Sequence, residues 1–282
     1  MFKLLRSTVL VLSLFLGIVP GLRGQMEPTT RRGQQEGAGP FQRLIIRGAT
    51  MIDGTGAPPR GPVDIVVEGD RITSVRSVGY PGVPIREGGR PQGATYEIDA
   101  HGMYVLPGFI DMHVHTGGAP KAPQAEYIYK LWLAHGVTTV RGVPFGGFEW
   151  SLGEKALSAR NEIVAPRMFT YHRPGTGWER GPVTNAESAR EWVRWLAEVE
   201  IDGAGVDGIK LGAYDPEIME ALISESKQHG LGTVAHLDQL GVVRMTALDA
   251  IGPAEVLQSL PDTHLTWAAP VAGPVRTNTA GL

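Results

Sequence analysis

Leu106-Pro107-Gly108-Phe109-Ile110-Asp111-Met112-His113-Val114-His115 decides how this chain reads. It is a short apolar run that closes on two histidines. Successive side chains of a β-strand face opposite sides, so His113 and His115 share a face. Two imidazoles at the carboxyl end of one strand can hold a borderline metal such as Zn²⁺. In parallel α/β architectures that end of the strand is where ligands bind. Taken alone, His-x-His more often marks two exposed histidines in a loop; the preceding apolar strand is what favours a ligand pair.

On the C-terminal side, strand and helix signals alternate. The strands are expected over Tyr104–His113, Val137–Val143, Ala165–Tyr171, Gly208–Gly212 and Gly232–His236. The helices are expected over Ala125–Ala134, Ser151–Asn161, Ala186–Val199, Pro216–His229 and Val242–Ala250. Thr184 with Glu187 forms a capping-box pattern that opens the third helix, and Asp215 before Pro216 opens the fourth. Gly136 and Gly230 stand where helices stop. Repeated βα units of this kind imply a parallel sheet covered by helices, either doubly wound or closed into a barrel.

On the N-terminal side the period is that of strands. Leu44-Ile45-Ile46, Met51-Ile52, Val63–Val67, Arg71–Val75 and Tyr96–Asp99 are short strand signals, with Gly69-Asp70 as a hairpin turn. Residues 43–103 read as a small all-β module that packs on something larger. Residues 26–42 are polar and rich in Gly, Gln and Arg, the composition of a flexible linker. Ahead of them, Lys3 and Arg6 precede the apolar stretch Thr8–Val19, which Pro20-Gly21 ends. That stretch falls short of the ~20 residues a bilayer crossing needs. Residues 1–25 read as an export signal, so the mature protein is expected to be secreted or periplasmic and free of the membrane.

Composition narrows the function classes. With 26 Lys+Arg against 29 Asp+Glu, the net charge of −3 gives no electrostatic reason to expect nucleic acid as a partner. A hydrophobic share of 42% is that of a globular chain. Cysteine is absent, which removes disulfides, thiolate metal ligands and a Cys nucleophile. An oligomeric assembly stays open.

Two further residues could join the histidines. Lys210 sits in the apolar stretch Asp207-Gly208-Ile209-Lys210-Leu211-Gly212. A lysine on a buried strand face loses its charge readily, whereas one at a strand end often reaches solvent. His236 ends Gly232-Thr233-Val234-Ala235-His236, and by itself it reads as a satisfied core histidine rather than a ligand. His101, His135 and His229 fall at element ends on the surface. His172, beside Arg173, is placed at a substrate mouth.

Pro107–His115, preceded by the β module with Met51-Ile52-Asp53-Gly54-Thr55-Gly56, resembles the amidohydrolase superfamily, and within it the imidazolonepropionase- and prolidase-like hydrolases. Gly136-Val137-Thr138-Thr139-Val140-Arg141 is similar to that family's second barrel strand. The likeness runs from about Leu44 to Ala250. It implies a (β/α)8 TIM-type barrel, a β-sandwich built from both chain ends, and one or two divalent metals. It implies further that His113 and His115 hold the first metal, that carboxylated Lys210 bridges, and that His236 holds the second. Two Zn²⁺ ions bridged in this way would attack a small amide or dipeptide-like substrate with a shared hydroxide.

The departures matter as much. The family has another His on the sixth strand and an Asp on the eighth. After His236 only His264 remains, in a Pro-containing stretch without a preceding apolar strand, and the remaining Asp residues are Asp238, Asp249 and Asp262. An eight-unit barrel takes about 200 residues or more, which exceeds what lies between Met103 and Leu282. The expectation is therefore an α/β chain with a partial barrel over 104–250, an irregular segment over 251–282, and no residue for the catalytic Asp. It reads as the N-terminal two-thirds of a metal-dependent hydrolase of C–N bonds. The alternative is a catalytically inactive remnant or binding protein that retains part of the fold.

Overall fold

The computed structural model describes residues 26–85, 88–117, 124–236, 258–259 and 265–268. The expected export signal, the helix over Val242–Ala250, and Asp238, Asp249, Asp262 and His264 all lie outside the described residues.

The N-terminal module is one mixed sheet. Its strands are β1 (Arg43–Met51), β2 (Arg60–Glu68), β3 (Arg71–Ser77), β4 (Tyr96–Asp99) and β5 (Tyr104–Val105). The order is β3-β2-β1-β4, with β5 also on β1. Glu68 pairs with Arg71 across the two-residue turn at Gly69-Asp70, where Gly69 takes the positive φ of 58° that such a turn favours. Ala49, Val63, Ile65 and Ala100 form its core. A second sheet that would complete a sandwich is not among the described residues. β3 and β4 are exposed along their whole length.

One buried carboxylate ties this module together. Asp64 accepts from Gly48 N at 2.9 Å, from Arg90 Nε and Nη2 at 2.9 Å, and from Arg47 Nη1 at 3.1 Å. Burial alone would push its carboxyl up, but the two guanidiniums and the amide hold it below the usual range.

Beyond the module, β6 (Phe109–Val114), β7 (Val137–Gly142), β8 (Arg167–His172), β11 (Gly208–Leu211) and β12 (Gly232–His236) form a five-stranded parallel sheet in chain order, half of a barrel. Between β8 and β11, β9 (Glu200–Ile201) and β10 (Ala204–Gly205) make a small hairpin of their own. The helices α1 (Ala125–Ala134), α2 (Phe148–Ala159), α3 (Ala186–Glu198) and α4 (Pro216–Gln228) supply the crossovers. On α3, Ala189, Trp192, Val193 and Leu196 recur at helical spacing, are fully buried, and meet Ala221 and Leu222 of α4. A second cluster joins Val114, Val140 and Met168 of the strands to Tyr129 of α1 and Leu157 of α2. No helix among the described residues is long and apolar enough to cross a membrane.

Three local expectations are corrected. The cap of α3 is Asn185, not Thr184: Asn185 accepts from Ser188 N, and the Ser188 side chain closes the box in place of Glu187. α2 starts at Phe148, three residues before Ser151, because Gly147 rather than a polar side chain precedes the helix. Past β12 the sheet does not continue in parallel. β14 (Leu265–Ala268) pairs antiparallel with β12, and β13 (Gln258–Ser259) with β14, so two short strands lie inside the segment expected to be irregular.

Residues 26–42, whose composition is that of a linker, are tied along the half-barrel. Thr29 offers N (2.8 Å) and Oγ1 to the two carboxylate oxygens of Glu154, which is 2% exposed. Trp150 Nε1 donates to the Glu27 carbonyl at 3.1 Å, Arg32 N to the Glu162 carbonyl at 2.7 Å, and Lys130 pairs with Glu36.

Candidate metal centre

Strand alternation fixes which side chains enter the barrel. Val114 belongs to the helix-facing core, so its neighbours His113 and His115 face the other way. Ile209 and Leu211 likewise pack under the helices, which turns Lys210 inward. The three meet at the carboxyl ends of their strands. His113 Nε2 and Lys210 Nζ are 3.5 Å apart, and the His113 and His115 ring centroids are 5.4 Å apart at an interplanar angle of 63°.

Each group is held by its surroundings. Asp111 Oδ1 accepts from His113 N at 3.0 Å, which stiffens the strand where it delivers the ring. His115 Nδ1 lies 3.0 Å from the Pro144 carbonyl. A carbonyl can only accept, so Nδ1 carries a proton, and in the neutral ring the lone pair is on Nε2. Lys210 is 4% exposed, and burial, with Arg173 and Arg141 adding positive charge, lowers its amine to about 8. An imidazole with a free lone pair and a buried amine with depressed basicity are donors suited to a divalent ion of intermediate hardness. This donor set fits the metal that the sequence implies.

His236 ends β12, on the strand paired with that of Lys210, two positions past Val234, the register partner of Lys210. Among the described residues, no three His, Cys, Asp or Glu side chains gather as a metal cluster. Of the candidate ligands, the structure brings together the His113 and His115 imidazoles and the Lys210 amine.

His172 is not at a substrate mouth. It is fully buried on the helix side of β8, with its ring centroid 4.7 Å from that of Phe148 and Nε2 at 3.3 Å from Ser151 Oγ. Tyr171 takes the inward position instead. Burial, with Lys155 adding to it, lowers the His172 imidazole to about 4. Sequence reasoning also passed over Arg141, an inward-facing guanidinium that is 4% exposed. The available signal was a charged residue inside the apolar strand Val137–Gly142.

No family model matches the chain. Over 190 residues, 66% of its length, it is 30% identical to the N-acyl-D-aspartate deacylase of Alcaligenes xylosoxydans, of which it covers 35%. Over 135 residues, 43% of its length, it is 36% identical to the adenine deaminase of Methanoculleus marisnigri, of which it covers 24%. The chain belongs to the amidohydrolase superfamily. It spans between a quarter and about a third of these curated amidohydrolase relatives. Its half-barrel is that of the superfamily. The solved structure of a Xaa-Pro dipeptidase with bound methionine superposes on it with a TM-score of 0.52, over 69% of this chain and 56% of that one, at 21% identity.

Proposed function

We propose that this amidohydrolase hydrolyses a carbon–nitrogen bond of a small amide or dipeptide-like substrate outside the cytoplasm. In this reading divalent metal, two Zn²⁺, is held by His113, His115, Lys210 and His236. The observation that carries it is the 3.5 Å approach of His113 Nε2 to the buried Lys210 amine at the carboxyl ends of β6 and β11. When bound, such a metal polarises a carbonyl and makes water a better nucleophile at neutral pH. The chain's own part is to hold the donors. Pro144 fixes the His115 tautomer, Asp111 fixes the backbone under His113, and the inward face of β11 keeps Lys210 out of water. Reaction of the neutral Lys210 amine with CO₂, with loss of a proton, would turn it into a carbamate and add oxygen donors to the imidazoles of His113, His115 and His236. The relatives named for deacylation and deamination also act on C–N bonds, which supports the reaction class.

One observation favours the inactive alternative. β14 lies antiparallel on β12, where a sixth parallel strand would continue a barrel. The deciding experiment is elemental analysis of protein purified with Zn²⁺ and bicarbonate, followed by turnover on a panel of dipeptides and acyl-amino acids. Bound zinc with turnover supports the hydrolase. Bound zinc without turnover leaves a metal-binding remnant, and absence of zinc overturns the site.

A further inference from the structure

We propose that Arg141 and Tyr171 form a positioning platform beneath the candidate metal centre, locking together the strands that carry His113, Lys210 and His236. This rests on the metal-binding reading above. Arg141 Nε donates to the Met112 carbonyl at 2.7 Å, the peptide that delivers His113. Its guanidinium carbon lies 5.1 Å from the centroid of the Tyr171 ring on β8. Tyr171, 3% exposed, continues the contact across the barrel interior. A Cβ added at Gly208 would stand 2.3 Å from Tyr171 Cε1, and one added at Gly232 would stand 2.1 Å from Tyr171 Oη. The phenol ring therefore rests on bare backbone of β11 and β12, just before Lys210 and His236. The pair spans five strands and touches the backbone of each strand that delivers a candidate ligand.

Stability alone does not account for this arrangement. Arg141 has no ion pair among the described residues, and its buried Nη1 finds no hydrogen-bond partner among them. A buried charge without a counter-ion weakens a fold, and such violations of local rules concentrate at functional sites. The hydrogen bond to Met112 and the stack on Tyr171 do what an apolar side chain of equal size could not. They set the azimuth of the His113 peptide relative to β8 and β11.

The test uses the full chain, with Zn²⁺ affinity measured by competition with a chromophoric chelator and thermal melting measured in the metal-free protein. Arg141→Met is expected to melt at the same temperature or higher without metal, while its Zn²⁺ affinity falls about 10–100-fold, the usual cost of losing a group that orients a ligand. Arg141→Lys, which keeps a donor for the Met112 carbonyl, recovers part of that loss. If Arg141→Met melts lower or fails to fold, with Arg141→Lys binding Zn²⁺ as wild type does, Arg141 is a structural strut and the proposal is overturned. Unchanged affinity in Arg141→Met overturns it too, and tighter binding would show that charge repulsion is its main effect. A wild-type protein that binds no Zn²⁺ would instead sink the metal-centre reading itself.

Discussion

Lys210 Nζ lies 3.5 Å from His113 Nε2, although 97 positions separate them in the chain. The parallel order β6-β7-β8-β11 brings them together, since each crossover helix returns the chain to the same end of the sheet. Among the described residues, no carboxylate appears with the groups that perturb the lysine; burial and two arginines do. A buried amine in that company supports the ligand role proposed for Lys210 over that of a structural cation.

Replacing Lys210 tests this assignment. Lys210→Met is expected to retain the ion held by His113 and His115 and to weaken the second by at least about tenfold. It should also leave the metal-free fold as stable or more so, because a poorly solvated amine is gone. Elemental analysis after dialysis against limiting Zn²⁺ reads the outcome. Unchanged metal content would return Lys210 to the role of an ordinary buried lysine.

What the sequence made legible was local in origin. The shared face of His113 and His115 and the span Ala125–Ala134 of α1 follow from side-chain period and glycine stops within a few residues. The strand expected over Tyr104–His113, by contrast, divides into β5 on the N-terminal sheet and β6 in the half-barrel, and the inward position of Lys210 was left open by its own stretch. What it hid depends on distant partners. Thr29 lies in a polar stretch with no period, and its hydrogen bonds go to a carboxylate 125 positions away. Tyr171 and His172 are adjacent, and only the packing of α2 against β8 shows which of them enters the barrel. Arg141 was visible as a charge in an apolar strand, but its partner Met112 belongs to a different strand.

The Thr29–Glu154 contact makes the N-terminal strap part of the fold. Thr29→Val removes one of two donors to a carboxylate that water cannot reach, which should cost about 1–3 kcal/mol. Thr29→Ser keeps both donors and should stay near wild type. Urea unfolding midpoints of the three proteins decide it, and equal midpoints for Val and wild type would mean that the strap contributes nothing to stability.

The wedge of Tyr171 against Gly232 predicts a coupled pair. Gly232→Ala places a methyl 2.1 Å from Tyr171 Oη and should destabilise by about 1–3 kcal/mol. Tyr171→Phe deletes that oxygen, so the double variant should recover part of the loss. A double-mutant cycle in denaturant is expected to show about 0.5 kcal/mol of coupling or more. Strict additivity would mean that the backbone shifts away from the ring at no cost.

Acid should unfold this protein in a step that traces to His172. Its imidazole is fully buried against Phe148 and Ser151, Nδ1 has no partner among the described residues, and its value is lowered from 6.5 to about 4. The folded protein therefore prefers the neutral ring, while the unfolded chain takes up a proton near pH 6.5. The stabilisation is complete above that pH and drains away as pH falls towards 4, reaching a loss of roughly 3 kcal/mol by linkage. Asp64 acts lower, because its carboxyl already sits below the usual range and loses its charge only in stronger acid. His172→Leu removes the titrating group and the orphaned nitrogen, while Ser151 Oγ keeps its bond to the Phe148 carbonyl at 2.9 Å. Urea midpoints measured at pH 7, 5.5 and 4.5 should then fall clearly for wild type and much less for the variant. Parallel curves for the two proteins would show that some other group governs the acid response and that the His172 pocket admits the charged ring.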